Sequence, residues 1–297
     1  LNTSFTGDDN LYVGIEAGNV VAGSFVTDNA DTATDNLTVT SMYYSFPMGN
    51  FDVAIGPILE NDDFMPTTIS KYSDKFYMGG LIIASSDLTS APGIEGSGFA
   101  IASTFDNGFN ASASVIGVDA DNNNGFLTNE SFDATTLSFG YDGDNYGLGF
   151  IYLDLDNICD SLDTIDIITC AADFGVTRID SSTYTLGAYW TPNDGSTTLS
   201  ATYGIITLDI PGTDIEDTTS VHIGVDHEVG PGVLSAAWKT QEIVNPTVIQ
   251  GKVRADSLGS YGEIYYTYDV NDSLEIRSGF SFAMPDDEDQ GFFFNEQ

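Results

Sequence analysis

Apolar residues alternate with small or polar ones along most of this chain. In 133–154, DATTLSFGYDGDNYGLGFIYLD, Leu137, Phe139 and Tyr141 alternate with small side chains. Asp-Gly-Asp follows, and Tyr146, Leu148, Phe150 and Tyr152 resume the alternation. A period of two is the mark of a strand with unlike faces, and Gly and Asp are the residues a tight turn demands. The segment therefore predicts a β-hairpin. The same unit recurs in 37–59, 97–118, 183–205, 217–240 and 258–283, and near the start, where LNTSF and LYVGIEAGNVV flank GDDN at 7–10.

Seven hairpins make fourteen strands, most of them about nine to eleven residues long, enough to cross a bilayer at a tilt of about 45°. Links inside the hairpins are short. Links between them are long and mostly acidic: 22–36, 60–96, 119–132, 155–182, 206–216 and 241–257, with a tail at 284–297. A soluble sandwich or propeller also alternates, but would not put every long link at one end. The pattern predicts an all-β chain, one transmembrane antiparallel β-barrel over 1–297, with short periplasmic turns and long acidic extracellular loops. One face of the alternation carries the large apolar and aromatic residues and suits lipid. The other carries His222, Asp226, Lys239, Glu263, Asp269, Glu275 and Arg277 among many Gly, Ser and Thr, and suits a lumen. A soluble sheet pair would solvate that second face and pack the first.

Composition narrows the choice. Seven Lys+Arg against 45 Asp+Glu, a net charge of −38, leave too few cations to displace counterions from phosphates, so nucleic acid is not an expected partner. An aromatic content of 12% is too high for a disordered chain. No apolar run approaches the ~20 residues of a transmembrane helix.

Candidate chemistry is sparse. His222 and His227 share the run HIGVDH, and five residues apart in a strand they face opposite ways, so they cannot chelate one metal. No Ser/His/Asp arrangement or GxSxG turn is recognisable, and neither an enzyme nor a bound cofactor is expected. The stretch DADNNNG at 119–125 resembles the start of a calcium loop, but Gly125 is seventh where such a loop needs its glycine sixth. Weak divalent-cation binding by acidic loops is the most it suggests. Cys159 and Cys170, with ten residues between them in a polar link, predict a disulfide; two free buried thiols are the alternative.

The opening LNTSFTGDDNLYVGIEAGN and the stretch VAIGPILENDDFMPTTISKYSDKFYMGG resemble cyanobacterial outer-membrane porins of the carbohydrate-selective porin superfamily. Asp8-Asp9 and Val13-Gly14-Ile15 stand where that family usually has Lys-Asp and Thr-Arg-Leu. The resemblance implies a homotrimer in the lipid and lipopolysaccharide of the bacterial outer membrane. It also implies features outside this sequence: an N-terminal domain that anchors to peptidoglycan, a strand before Leu1 and a closing strand after residue 283, which bring fourteen strands to sixteen.

The link 60–96 is the most informative. It holds Asp62, Asp63, Lys71, Asp74 and Lys75, two of only four lysines, and its LIIASS is too apolar for a solvated tip. By analogy with general porins it is expected to fold inward and line a constriction; an ordinary outer loop is the alternative. The expected function is passive diffusion of small hydrophilic solutes or inorganic ions. A structural or adhesive barrel with partner-binding loops is the other class.

Overall fold

The structure is a computed structural model. It describes residues 1–17, 37–72, 94–118, 120, 125–158, 177–192, 195–212, 217–243, 248–249, 252–253, 257–271, 274–284 and 293–296. The strands are β1 (Asn2–Thr3), β2 (Asn10–Ala17), β3 (Leu37–Met48), β4 (Phe51–Glu60), β5 (Glu95–Thr104), β6 (Phe109–Gly117), β7 (Asp133–Asp142) and β8 (Tyr146–Asp156). They continue as β9 (Asp180–Trp190), β10 (Thr197–Asp209), β11 (Thr218–Val229), β12 (Gly232–Ile243), β13 (Val248–Ile249), β14 (Lys252–Val253), β15 (Ser257–Asn271), β16 (Leu274–Met284) and β17 (Phe293–Glu296).

All seven expected hairpins form, from β1/β2 to β15/β16, and each is antiparallel. Together with β17 they make a single sheet of 15 strands, each beside the next in the chain, while β13 and β14 pair apart as a small hairpin. β17 is not among the fourteen strands read from the alternation, since FFNE is too short to show a period; it lies after residue 283, where the resemblance implies a strand, and pairs with β16 through Phe282↔Phe294. Among the described residues no pairing joins β1 to β17.

The turns have the predicted chemistry. Gly49, between β3 and β4, has φ 69°, and Gly108, between β5 and β6, has φ 89°, a region that side chains with a Cβ avoid. The turn between β1 and β2 is organised by a carboxylate. Asp9 Oδ1 accepts from Ser4 Oγ at 2.6 Å and from the backbone N–H of Phe5 and Thr6 at 2.9 and 2.8 Å, while Tyr44 donates to Oδ2 at 2.5 Å. These bonds, from Ser4 and Tyr44 above all, hold the Asp9 carboxyl far below the usual carboxylate range.

The outer face is apolar, as the alternation predicts. Phe139, Leu148 and Leu186 are more than half exposed on adjacent strands, and Tyr184, Trp190, Tyr203, Ile223 and Trp238 extend the same surface. Near the turns its aromatics adjoin: Phe109 stands beside Tyr141 and Tyr146 beside Trp190, with the Phe109 and Tyr141 rings 5.1 Å apart.

The inner face departs from the expectation of a uniformly polar lining. Over β4–β8, Ala54, Leu59, Ala100, Ile116, Ala134 and Leu153 form a buried cluster, with Phe64 from the link after β4 packed against it. The reason is a loop that needs an anchor. Burying an Ile or Leu side chain contributes about 1.5–3 kcal/mol, which a polar wall could not supply.

Candidate functional site

After β4 the chain turns inward at Asn61, whose N–H donates to Ile94 O at 3.1 Å, and Ser114 Oγ holds the Asn61 carbonyl at 3.3 Å. Tyr43 meets the Phe64 ring edge-on with centroids 5.3 Å apart. Residues 61–72 then run as a strap over the inner face. Thr67 Oγ1 lies 2.8 Å from both Asn110 Oδ1 on β6 and Ser138 Oγ on β7. The Lys71 N–H donates to Ser200 Oγ on β10 at 3.0 Å. Tyr72 OH donates to Glu263 Oε1 on β15 at 2.6 Å. On a flat sheet β6 and β15 would stand about 34 Å apart at about 4.8 Å per strand. The five residue steps from Thr67 to Tyr72 reach about 18 Å at most. The strap touches so many strands because the sheet is concave towards it.

The strap lies on a track of inner-face glycines. A Cβ on Gly149 would meet Thr68 O at 2.8 Å, one on Gly187 would meet Ile69 O at 2.2 Å, and one on Gly224 would meet the Tyr72 ring at 2.5 Å. Side chains at these positions would lift the strap from the wall. Thr67, Ile69 and Tyr72 are accordingly buried.

A polar chain fixes one cation of the strap. Asn110 Nδ2 donates to Asp142 Oδ2 at 2.9 Å, Tyr189 OH donates to Asp142 Oδ1 at 2.6 Å, and Lys71 Nζ stands 4.1 Å from the Tyr189 ring centroid. An ammonium over a tyrosine face is attracted by the ring quadrupole. At the strap's entrance, burial pushes the Asp62 and Asp63 carboxyls above the ordinary range, the neighbouring Asp63 charge adding to the effect on Asp62. At its far end burial, then the Glu263 charge, raises the Tyr72 phenol, which stays a donor.

The seven charged residues assigned to the lumen share one face, as their register requires. His222 pairs with Lys239 across β11/β12 and is fully buried, its ring 5.4 Å from that of Tyr72. Lys239 and Glu263 are each 2% exposed. Ser235 Oγ donates to Asp226 Oδ1 at 2.5 Å. Asp269 faces Glu275, and Arg277 Nε donates to Glu275 Oε1 at 2.5 Å. His227 lies on the opposite face, with its Nδ1 2.8 Å from Thr197 Oγ1. Asp74 and Lys75 lie outside the described residues, as do Cys159 and Cys170. Among the described residues no three His, Cys, Asp or Glu side chains are grouped to hold a metal.

Sequence reasoning missed Thr67, Ile69, Tyr72, Tyr189 and the glycine track. Gly147-x-Gly149 and Gly187 fall on the inner phase of the alternation, and that was their signal: a wall stripped of side chains is a wall against which backbone can lie.

Two cavities flank the strap at the turn end. One of about 390 Å³ is bordered by Asp9, Asp52, Asp63 and Pro66. The other, of about 590 Å³, is bordered by Lys71, Asp226, Glu228, Thr267 and Asp269.

No family model and no curated protein matches the sequence. Solved structures do. The outer membrane protein OmpT of Vibrio cholerae, in a trimer form, aligns over 100% of this chain and 84% of its own, with a TM-score of 0.60 at 13% identity. The anion-selective porin of Comamonas acidovorans aligns over 99% of this chain and 82% of its own, with a TM-score of 0.61 at 14% identity. At such identities the likeness establishes the fold, that of an antiparallel outer-membrane β-barrel.

Proposed function

We propose that this protein is a porin of the bacterial outer membrane, a passive channel for small hydrophilic solutes or inorganic ions, acting without chemistry or a cofactor. The observation that carries the proposal is the course of 61–72, from the end of β4 across the inner face to Glu263. A loop docked on the inner wall narrows a barrel without closing it, and the charges it carries then act on a passing ion at short range. Lys71 is the described cation of that constriction, with Asp62 and Asp63 at its approach; Asp74 and Lys75 are assigned to it from sequence. The apolar outer face suits lipid, and lipopolysaccharide is the expected neighbour at the loop end. The trimer form of the Vibrio structure supports a homotrimer. Anchoring to peptidoglycan would come from a domain outside this sequence.

A second reading has one observation in its favour. The wall beneath the strap is tightly covered, with His222 fully buried and Lys239 2% exposed, as in a barrel that is plugged and works through its loops as an adhesive or structural protein. Planar-bilayer recording separates the two. Steady open-channel conductance supports the porin, and silence over many insertions of correctly folded protein overturns it in favour of the plugged barrel.

A further inference from the structure

The cavity of about 590 Å³ lies on the turn side of the strap, between Lys71 and the turn that joins β11 to β12 at Gly230-Pro231. Its size falls in the range of small-molecule pockets, and as a sphere it would be about 10 Å across. Its charges are unlike. One ammonium, Lys71, is held over the Tyr189 ring, and three carboxylates, Asp226, Glu228 and Asp269, come from β11 and β15. The strands fix their spacing: Asp226 lies opposite Ser235, and Glu228 opposite Val233, which in turn faces Thr267. Thr267 borders the cavity, is 8% exposed, and its hydroxyl has no hydrogen-bond partner. A buried hydroxyl that has given up water without gaining a partner is unfavourable, so its place beside a charged cavity points to a ligand that satisfies it.

We propose that this cavity is a solute-binding site for a small zwitterion with excess positive charge, of the basic amino acid type. The solute's carboxylate faces Lys71, and its ammonium groups face Glu228, Asp269 and Asp226. Three carboxylates against one ammonium exclude an anion, and the ammonium on the opposite wall sets the orientation. The site rests on the porin reading for its access but not for its chemistry. It deepens that reading by naming a class of solute.

The test uses the whole protein in detergent and in planar bilayers. In titration calorimetry L-lysine binds and L-glutamate does not. Glu228→Gln with Asp269→Asn, two exposed positions whose neutralisation leaves the strap's contacts in place, weakens L-lysine about fivefold to tenfold. The preference for L-lysine over L-lysinamide, which lacks the carboxylate, falls in Lys71→Gln. In bilayers, L-lysine added on the turn side reduces the current in proportion to occupancy. Equal binding of L-lysine and L-glutamate, or of L-lysine to wild type and the double variant, overturns the site while leaving a conducting porin intact. Calorimetric binding in a protein that never conducts upholds the site and overturns the porin.

Discussion

A Cβ on Gly187 would stand 2.2 Å from the carbonyl oxygen of Ile69, so strap and wall meet there backbone to backbone. Both Gly187 and Ile69 Cα are part of close-packed elements, and a methyl group at that distance must displace one of them.

The first prediction follows from this contact. Gly187→Val lifts the strap, because the strap has fewer bonds to the wall than β9 has to its neighbours β8 and β10. Single-channel conductance rises, and the variant keeps its barrel fold by circular dichroism. Unchanged conductance in a folded variant refutes the strap as the narrowing element.

Tyr72→Phe keeps the ring beside His222 and Tyr265 and removes only the hydroxyl that donates to Glu263. A hydrogen bond to a charged acceptor contributes about 1.5–3 kcal/mol. Hydrogen exchange in 61–72 should accelerate by a factor of about ten or more, while exchange in β8 and β9 stays the same. Equal protection of the strap in both proteins contradicts this.

The alternation exposed the hairpins because a barrel wall has two solvents, and a period of two records both. Phase alone also decides that His222, Asp226, Lys239, Glu263, Asp269, Glu275 and Arg277 share one face of the sheet. The strap's path was not legible. Thr67, Ile69 and Tyr72 belong to no periodic segment, and their partners lie on six strands, β6, β7, β8, β9, β11 and β15. For the same reason the buried cluster around Ile116 and Leu153 was invisible: the strand pattern does not say what an inward apolar residue will meet.

We expect ion preference to depend on the strap more than on the net charge of −38. Charge in outer loops is screened within about 8–10 Å at physiological salt, while Lys71 sits against the wall on the strap. We expect weak cation selectivity that weakens further as salt rises. Replacing Lys71 and Lys75 with Gln shifts the reversal potential toward cations, by more than neutralising Asp119 and Asp121 shifts it the other way. The opposite ranking removes Lys71 and Lys75 from the constriction.

Asp9 gives a pH prediction. Its folded carboxyl lies below its ordinary value of 3.8, so its bonds stabilise the protein fully above that value, and the contribution is lost as pH falls below it toward the folded value. The stability difference between wild type and Asp9→Asn should therefore narrow below pH about 4 and stay constant above pH about 5. Thermal unfolding in detergent at several pH values checks this; a difference that does not change with pH refutes it.

For Cys159 and Cys170 we expect a disulfide that closes a loop outside the membrane. In the chain-entropy treatment, a loop of this size contributes about 3 kcal/mol. Two alkylatable thiols in the unreduced, denatured protein, counted by mass, would sink the pairing.

The bond from Tyr72 to Glu263 spans 191 residues of chain. A hairpin closes over a few residues, whereas closing over this span costs about 3 kcal/mol more in chain entropy. Neighbouring strands can zip one after another, but Tyr72 has no acceptor until β15 has been added. The two ends of the strap therefore differ: Phe64 and Thr67 can dock once β4–β8 are in place, whereas the far end is tied down only after β15 has joined the wall.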